Sequence, residues 1–135
     1  MKPKYQELRE CASKMNEKND CAVKAISIVA RVSYFKAHEA LTAHGRLPRK
    51  GTTFKTQTVP ALASLGIEIT QVKRDRQPSG SRYTPKTIGQ KLKKGYYLCR
   101  CNGHIFAVVN GVVEDWTDGR QHRINQIWKV NKKRK

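Results

Sequence analysis

The sequence predicts an α+β fold in which N-terminal helices pack on a C-terminal antiparallel sheet. Three observations carry that expectation. Apolar residues recur at helical spacing in the first half, as in Leu8, Cys11, Ala12 and Met15, then Ala22, Ala25, Ile26, Val29 and Ala30. Two Asn-Gly pairs, Asn102-Gly103 and Asn110-Gly111, interrupt apolar runs in the second half, and Asn-Gly is the strongest short-range hairpin sign because both residues of the tight turn favour positive φ. With 135 residues, one domain is the default, and such a domain buries roughly 68% of its unfolded surface around one core. The expected domain covers 1–130, followed by a basic tail over 131–135.

In chain order, residues 4–15 read as a polar helix and Lys14 to Asp20 as a polar loop. Asn19 or Asp20 can cap the next helix, 21–31, because both side chains accept bonds from free N–H groups. Ser33 can cap a helix over 34–44 that stops at Gly45. A basic loop from Arg46 to Thr53 leads to a helix over 57–65, with Pro60 near its first turn, where the missing N–H costs little. A strand follows over 67–73. The stretch 74–82, rich in Gly, Pro, Ser and Arg, reads as the longest flexible loop. Thr84-Pro85 opens a short basic helix that Gly95 ends. Strands over 96–101, 104–109 and 112–117 form a meander, and alternation of Ile124, Gln126, Trp128 and Val130 marks a last strand over 123–130.

Lys and Arg total 28 against 10 Asp and Glu, a net charge of +18. That imbalance attracts polyanions, so weak binding of nucleic acid or of an acidic protein is expected; aromatics are only 7%, which leaves few base-stacking platforms. No apolar run approaches the ~18 residues of a membrane span. The charged N-terminal stretch is no signal peptide, so the protein is expected in the cytoplasm with no membrane partner. Four cysteines (11, 21, 99, 101) are then expected as free thiols.

Chemistry enters with Cys21, His104 and Asp115. Cys21 stands in the first turn of an apolar helix, where the helix dipole and a nearby imidazolium favour the thiolate. His104 opens a strand. Two-residue loops fix register: Cys101 falls opposite His104 and Val109 opposite Val112. Continuing the second pairing sets His104 against Thr117 and Phe106 against Asp115. The face shared by His104, Phe106, Asp115 and Thr117 makes Asp115 the diagonal neighbour of His104, about 7–8 Å away along the backbone and within side-chain reach. A thiol, an imidazole and an orienting carboxylate are the parts of a thiol nucleophile. An oxyanion site would combine the Cys21 N–H with a side-chain amide, Asn16 or Asn19.

Several ordered pieces carry a family resemblance: Asn19-Asp20-Cys21 before a buried helix, Ser33-Tyr34, His38-Glu39-Ala40-Leu41, Gly45-Arg46, Pro48-Arg49-Lys50-Gly51-Thr52, Gly95-Tyr96-Tyr97, Gly103-His104, and Asn110-Gly111-Val112-Val113-Glu114-Asp115. Over residues 16–130 the chain resembles papain-like cysteine peptidases, and is similar to small phage and prophage proteins related to the bacteriocin double-glycine leader peptidases. The resemblance implies a papain-like fold and a cysteine peptidase acting in a host bacterial cytoplasm. Cys21 would be the nucleophile, His104 the base and Asp115 its orienting acid. The family uses a Gln shortly before the cysteine; this chain has none between Ala12 and Cys21, and Asn16 is the shorter-reaching replacement.

Two functions of different class follow. One is hydrolysis of an amide bond in a peptide or protein substrate, with no cofactor. The other is a peptidase-like module that binds nucleic acid or an acidic host protein through its basic surface. A zinc site built on Cys99, Cys101 and His104 lacks a familiar spacing and an evident fourth ligand, so no metal is expected. His38, His44 and His122 read as edge residues without partners.

Overall fold

Helix α2 (Cys21–Ala30) has Lys24 as its single charged residue, and Ala22, Val23 and every residue from Ala25 to Ala30 are buried. A helix apolar round most of its circumference belongs inside a molecule. Accordingly α2 contacts strand β3 (His104–Val109) as well as helices α1 (Lys4–Lys14) and α3 (Tyr34–Ala43). Val23 and Ile26 are fully buried, and each such side chain contributes roughly 1.5–3 kcal/mol. The computed structural model describes residues 4–15 and 17–132.

The class is α+β, as the sequence predicts. Five antiparallel strands, β1 (Ile67–Gln71), β2 (Tyr96–Cys101), β3, β4 (Val112–Glu114) and β5 (Gln126–Lys132), form an open sheet in the order β1-β5-β2-β3-β4. Period-two alternation divides their side chains between two cores. Leu98, Ile105, Ala107 and Trp128 join the helical core; Cys99, Phe106, Val108 and Ile127 form a second core with Ile88, Leu92 and Ile124.

Both hairpin registers match the sequence expectation: Cys101 pairs with His104 and Val109 with Val112. Asn110 (φ 49°) and Gly111 (φ 83°) both adopt positive φ, whereas at 102–103 Gly103 alone does so (φ 71°). The extended pairings do not form. β4 ends at Glu114 instead of 117, and Asp115 to Gly119 make turns.

Other boundaries move for local reasons. The helix expected from 57 begins at Phe54, as a turn of wide i→i+5 bonds running into α4 (Val59–Ser64). The ring of Pro60 needs room at the carbonyl of residue 56, which a widened turn supplies. The 74–82 stretch is a tight hairpin: Arg76 bridges Arg82, and Gln77 N–H donates to Ser81 O at 2.9 Å. The basic helix expected after Thr84-Pro85 shrinks to one 3₁₀ turn, Ile88–Gln90. There Gly89 lies against the hairpin turn so closely that an added Cβ would stand 2.4 Å from Gly111 O. The last strand starts at Gln126 rather than 123 and includes Asn131 and Lys132, which were expected in the tail. Ser33 caps α3 as expected, its Oγ accepting from Lys36 N–H at 3.1 Å. Asp20 occupies the N-cap position of α2 without capping it.

The basic loop after α3 is pinned by an ion pair. Arg46 is fully buried and donates to both Glu17 carboxylate oxygens at 3.1 and 3.2 Å, and through Nε to Lys50 O at 3.0 Å. Glu17 also takes the Arg49 N–H at 2.7 Å and faces His38 Nε2 at 2.5 Å. His44 Nδ1 meets Ala40 O at 2.8 Å. His38 and His44 therefore have partners, contrary to expectation. This clamp ties the segment entering α2 to the 46–51 loop.

Burial alone would raise the Glu17 carboxyl, but bonds from Arg46, His38 and the Arg49 N–H hold it at about 2. The clamp's contribution should be complete above the ordinary carboxylate range and lost as pH falls toward 2. Arg46→Leu strands a buried carboxylate, and urea denaturation at pH 7 should show a loss of about 3–5 kcal/mol that narrows at acid pH. Gly89→Ala forces backbone apart at the hairpin turn, and the same titration should register a loss of about 1–3 kcal/mol.

Candidate active site

Cys21 is the first residue of α2 and His104 the first of β3, so the packing of that helix on that strand brings the two together. The thiol lies beside the His104 ring and the Ile105 N–H, both of which favour its anionic form. His104 Nε2 lies 2.7 Å from Asp115 Oδ2. With Nε2 engaged there, Nδ1 is the nitrogen left for the sulfur. Asp115 Oδ2 also accepts from Thr117 Oγ1 at 2.7 Å and from Thr117 N–H at 3.2 Å.

Cys21, His104 and Asp115 thus meet as the sequence predicts, by a different route. Asp115 reaches the imidazole from a turn instead of a paired strand, and fully buried Thr117 holds that turn shut. Sequence reasoning placed Thr117 on the right face but gave it no role. The signal was available: Asp followed two residues later by Thr is a side-chain-to-backbone turn pattern.

Electrostatics favour a charged pair. Burial works to raise the Cys21 thiol, but bonds from His104 and the Ile105 N–H, with the imidazolium charge, outweigh it and lower the thiol below its ordinary value; the Asp115 charge opposes. Burial likewise disfavours imidazolium, yet the bonds to Asp115 and Cys21 and their charges raise His104 to about 9. The other thiols contrast. Burial pushes Cys99 up, and burial with the Asp115 charge takes Cys101 to about 11. All four cysteines are free.

Asp20, next to Cys21, is turned away from the thiol. Its Oδ2 accepts from the Tyr34 hydroxyl at 2.7 Å and its Oδ1 pairs with Lys24 Nζ at 3.1 Å. An adjacent carboxylate that would otherwise oppose the thiolate is neutralised in this way.

A cleft of about 550 Å³ adjoins Cys21, lined also by Asn19, Gly51, Thr52, Gly103, His104 and Trp116. Asn19 adopts φ 52° and its Nδ2 donates to Arg49 O at 3.2 Å, which engages one of its two amide hydrogens. Asn16 lies outside the described residues. The Cys21 N–H belongs to the first turn of α2, whose N–H groups have no partner within the helix. Tyr5 of α1 also lines the cleft, with its phenol pushed up to about 12 by burial and by the Asp115 charge.

Trp116 is 50% exposed, its ring centroid 5.4 Å from that of His104 and 5.6 Å from that of His122. His122 therefore has a neighbour that sequence reasoning did not give it. Trp128 is buried, stacked on Phe54 at 4.4 Å.

Among the described residues no group of three or more His, Cys, Asp or Glu stands where it could hold a metal ion. No helix among them is long and apolar enough to cross a membrane. Comparison with known proteins finds no family, no curated protein and no solved structure that matches the chain.

The His104 imidazole should titrate near pH 9 when followed by NMR. Asp115→Asn should return it toward the ordinary ~6.5, and Thr117→Val should lower it less, since one hydrogen bond is worth about 1 kcal/mol. An unshifted wild-type titration would show that Asp115 does not hold the ring.

Proposed function

We propose that this protein is a papain-like thiol hydrolase that cleaves an amide bond in a polypeptide, acting in the reducing cytoplasm of a bacterial host where its thiol stays free. The observation that carries the reading is the relay of Thr117, Asp115, His104 and Cys21 at the floor of an open cleft.

The parts support a two-stage acyl transfer. The Cys21 thiolate attacks the substrate carbonyl carbon, forming a C–S bond and moving the C=O π electrons onto oxygen. The Cys21 N–H, at the positive end of α2, faces that developing charge, with the remaining Asn19 amide hydrogen as a second donor. His104, the imidazolium, gives its proton to the leaving nitrogen as the C–N bond breaks. Water then attacks the thioester, His104 takes a proton from it, and the C–S bond breaks to release the acid. An amine in place of water would give transfer instead of hydrolysis. Asp115 and Thr117 orient the ring throughout and exchange no proton. The scheme uses no cofactor.

Activity should depend on a thiolate and an imidazolium together. It should rise with pH as the lowered Cys21 thiol ionises and fall as pH passes about 9, where His104 loses its proton. Iodoacetamide at pH 6.5, read by peptide mass mapping, should modify Cys21 at least about tenfold faster than Cys11, Cys99 and Cys101. Equal, slow modification of all four would sink the hydrolase and leave a basic binding module.

A further inference from the structure

The cleft does not end at His104. A second cavity of about 600 Å³ shares Gly103, His104 and Trp116 with it and extends to His122 and Arg123. A third, of about 620 Å³, shares Arg123 with the second. Four cations line this last cavity: Arg76, Arg82, Lys86 and Arg123. Its remaining walls are Gln, Ser and Thr side chains, and neither a carboxylate nor an apolar residue lines it.

These cations differ from those near the sulfur. In the thiol cleft Lys24 is paired with Asp20, and His104 with Asp115. In the third cavity Arg82 is partly engaged, with Asp75 at 3.1 Å. Exposed Lys86 and Arg123 form no ion pair among the described residues. The surrounding sequence adds to the field: between residues 73 and 113 Asp75 is the only acid. Adjoining cavities thus lead from a charge-paired centre to a cationic end where Lys86 and Arg123 are unpaired among the described residues.

The chemistry gives this track a direction. His104 must protonate the leaving nitrogen, so the departing amine lies on the His104 side of the sulfur. The acyl portion then lies away from His104, toward lining that includes Asn19, Gly51 and Thr52. A substrate continuing past His104 and Trp116 reaches Arg123 with residues that follow the scissile bond. A cavity of this size spans about three extended residues.

We propose that the substrate is a polypeptide carrying a run of Asp or Glu beginning about three residues C-terminal to the cleaved bond, held by Arg76, Arg82, Lys86 and Arg123. This inference rests on the hydrolase reading. Carboxylates fit because guanidinium forks bind them bidentately and no acidic residue lines the cavity to repel them. Its connection to the reacting centre favours a flank of the substrate over a separate nucleic acid.

Peptides with an N-terminal chloroacetyl group test the proposal, because the sulfur displaces chloride and the attached peptide extends only on the leaving-group side. Chloroacetyl-Ala-Ala-Ala followed by four Glu, or by four Gln, is offered to the full-length protein, and Cys21 modification is timed by mass spectrometry. The expected result is a Glu-to-Gln rate ratio of at least about ten at low salt, shrinking at 0.5 M NaCl as charges are screened. The ratio within one preparation cancels any change in the thiol itself, so in the Lys86→Gln, Arg123→Gln double variant it should fall toward one. Equal Glu and Gln rates in the wild type, or a ratio unchanged in the double variant, overturns the proposal. So does a ratio near one accompanied by salt-sensitive binding of a 20-base-pair DNA duplex that the double variant loses, which assigns the cavity to nucleic acid. Iodoacetamide selectivity for Cys21 reports separately on the hydrolase reading.

Discussion

The seating of the first turn of α2 against the first residues of β3 is the constraint on which the rest of the structure depends. It brings a thiol beside both an imidazole and the Ile105 N–H, which lower its pKa. One turn of slippage along the helix axis, about 5.4 Å, would remove the sulfur from both. The helix is not free to slip, because it is apolar on nearly every side and all its residues but Cys21 and Lys24 are buried, and buried side chains interlock at close-packed density. The hydrophobic burial of α2 is therefore what sets the electrostatics of Cys21. Packing fixes the distance, and the distance makes the charged pair favourable.

Each partner is then fixed from behind. The approach to Cys21 is tied to the 46–51 loop by Glu17 and buried Arg46, whose guanidinium has protein acceptors on all three nitrogens. Removing water from an ion pair is expensive, so such a pair is better understood as fixing geometry than as adding stability. On the opposite wall Thr117 closes the turn that carries Asp115. The two devices converge on one cleft from separate parts of the chain. Asn19 links them to the cleft mouth through Arg49 O.

Much of this was legible in the sequence, for reasons that can be named. Asn-Gly loops carry their own register, so Cys101 opposite His104 and Val109 opposite Val112 follow from local turn chemistry. The apolar periodicity of α2 and the Ser33 cap are also local signals. What was hidden depends on partners distant in sequence. Arg46 reads as one more solvated cation until Glu17, 29 residues away, is beside it. The end of β4 depends on Thr117 bonding Asp115 instead of continuing the ladder, a local alternative that competes with sheet pairing. The basic helix after Pro85 gives way where Gly89 meets Gly111, a contact between backbones that hydrophobic spacing does not encode.

The positive charge of the chain and the chemistry of its thiol are separable in space. Beside the sulfur, Lys24 is matched with Asp20 and His104 with Asp115. Paired charges at short range and partial burial are weakly screened, so ionic strength should leave the thiolate–imidazolium pair largely intact. Lys86 and Arg123 lie in cavities beyond Trp116, exposed and unmatched among the described residues. Exposed unmatched charges act over about one Debye length, ~8 Å at physiological salt. Their influence therefore falls on the cavities beyond Trp116 more than on the sulfur. A fold with a net charge of +18 can in this way hold a locally balanced thiol, with unmatched Lys86 and Arg123 facing solvent away from it.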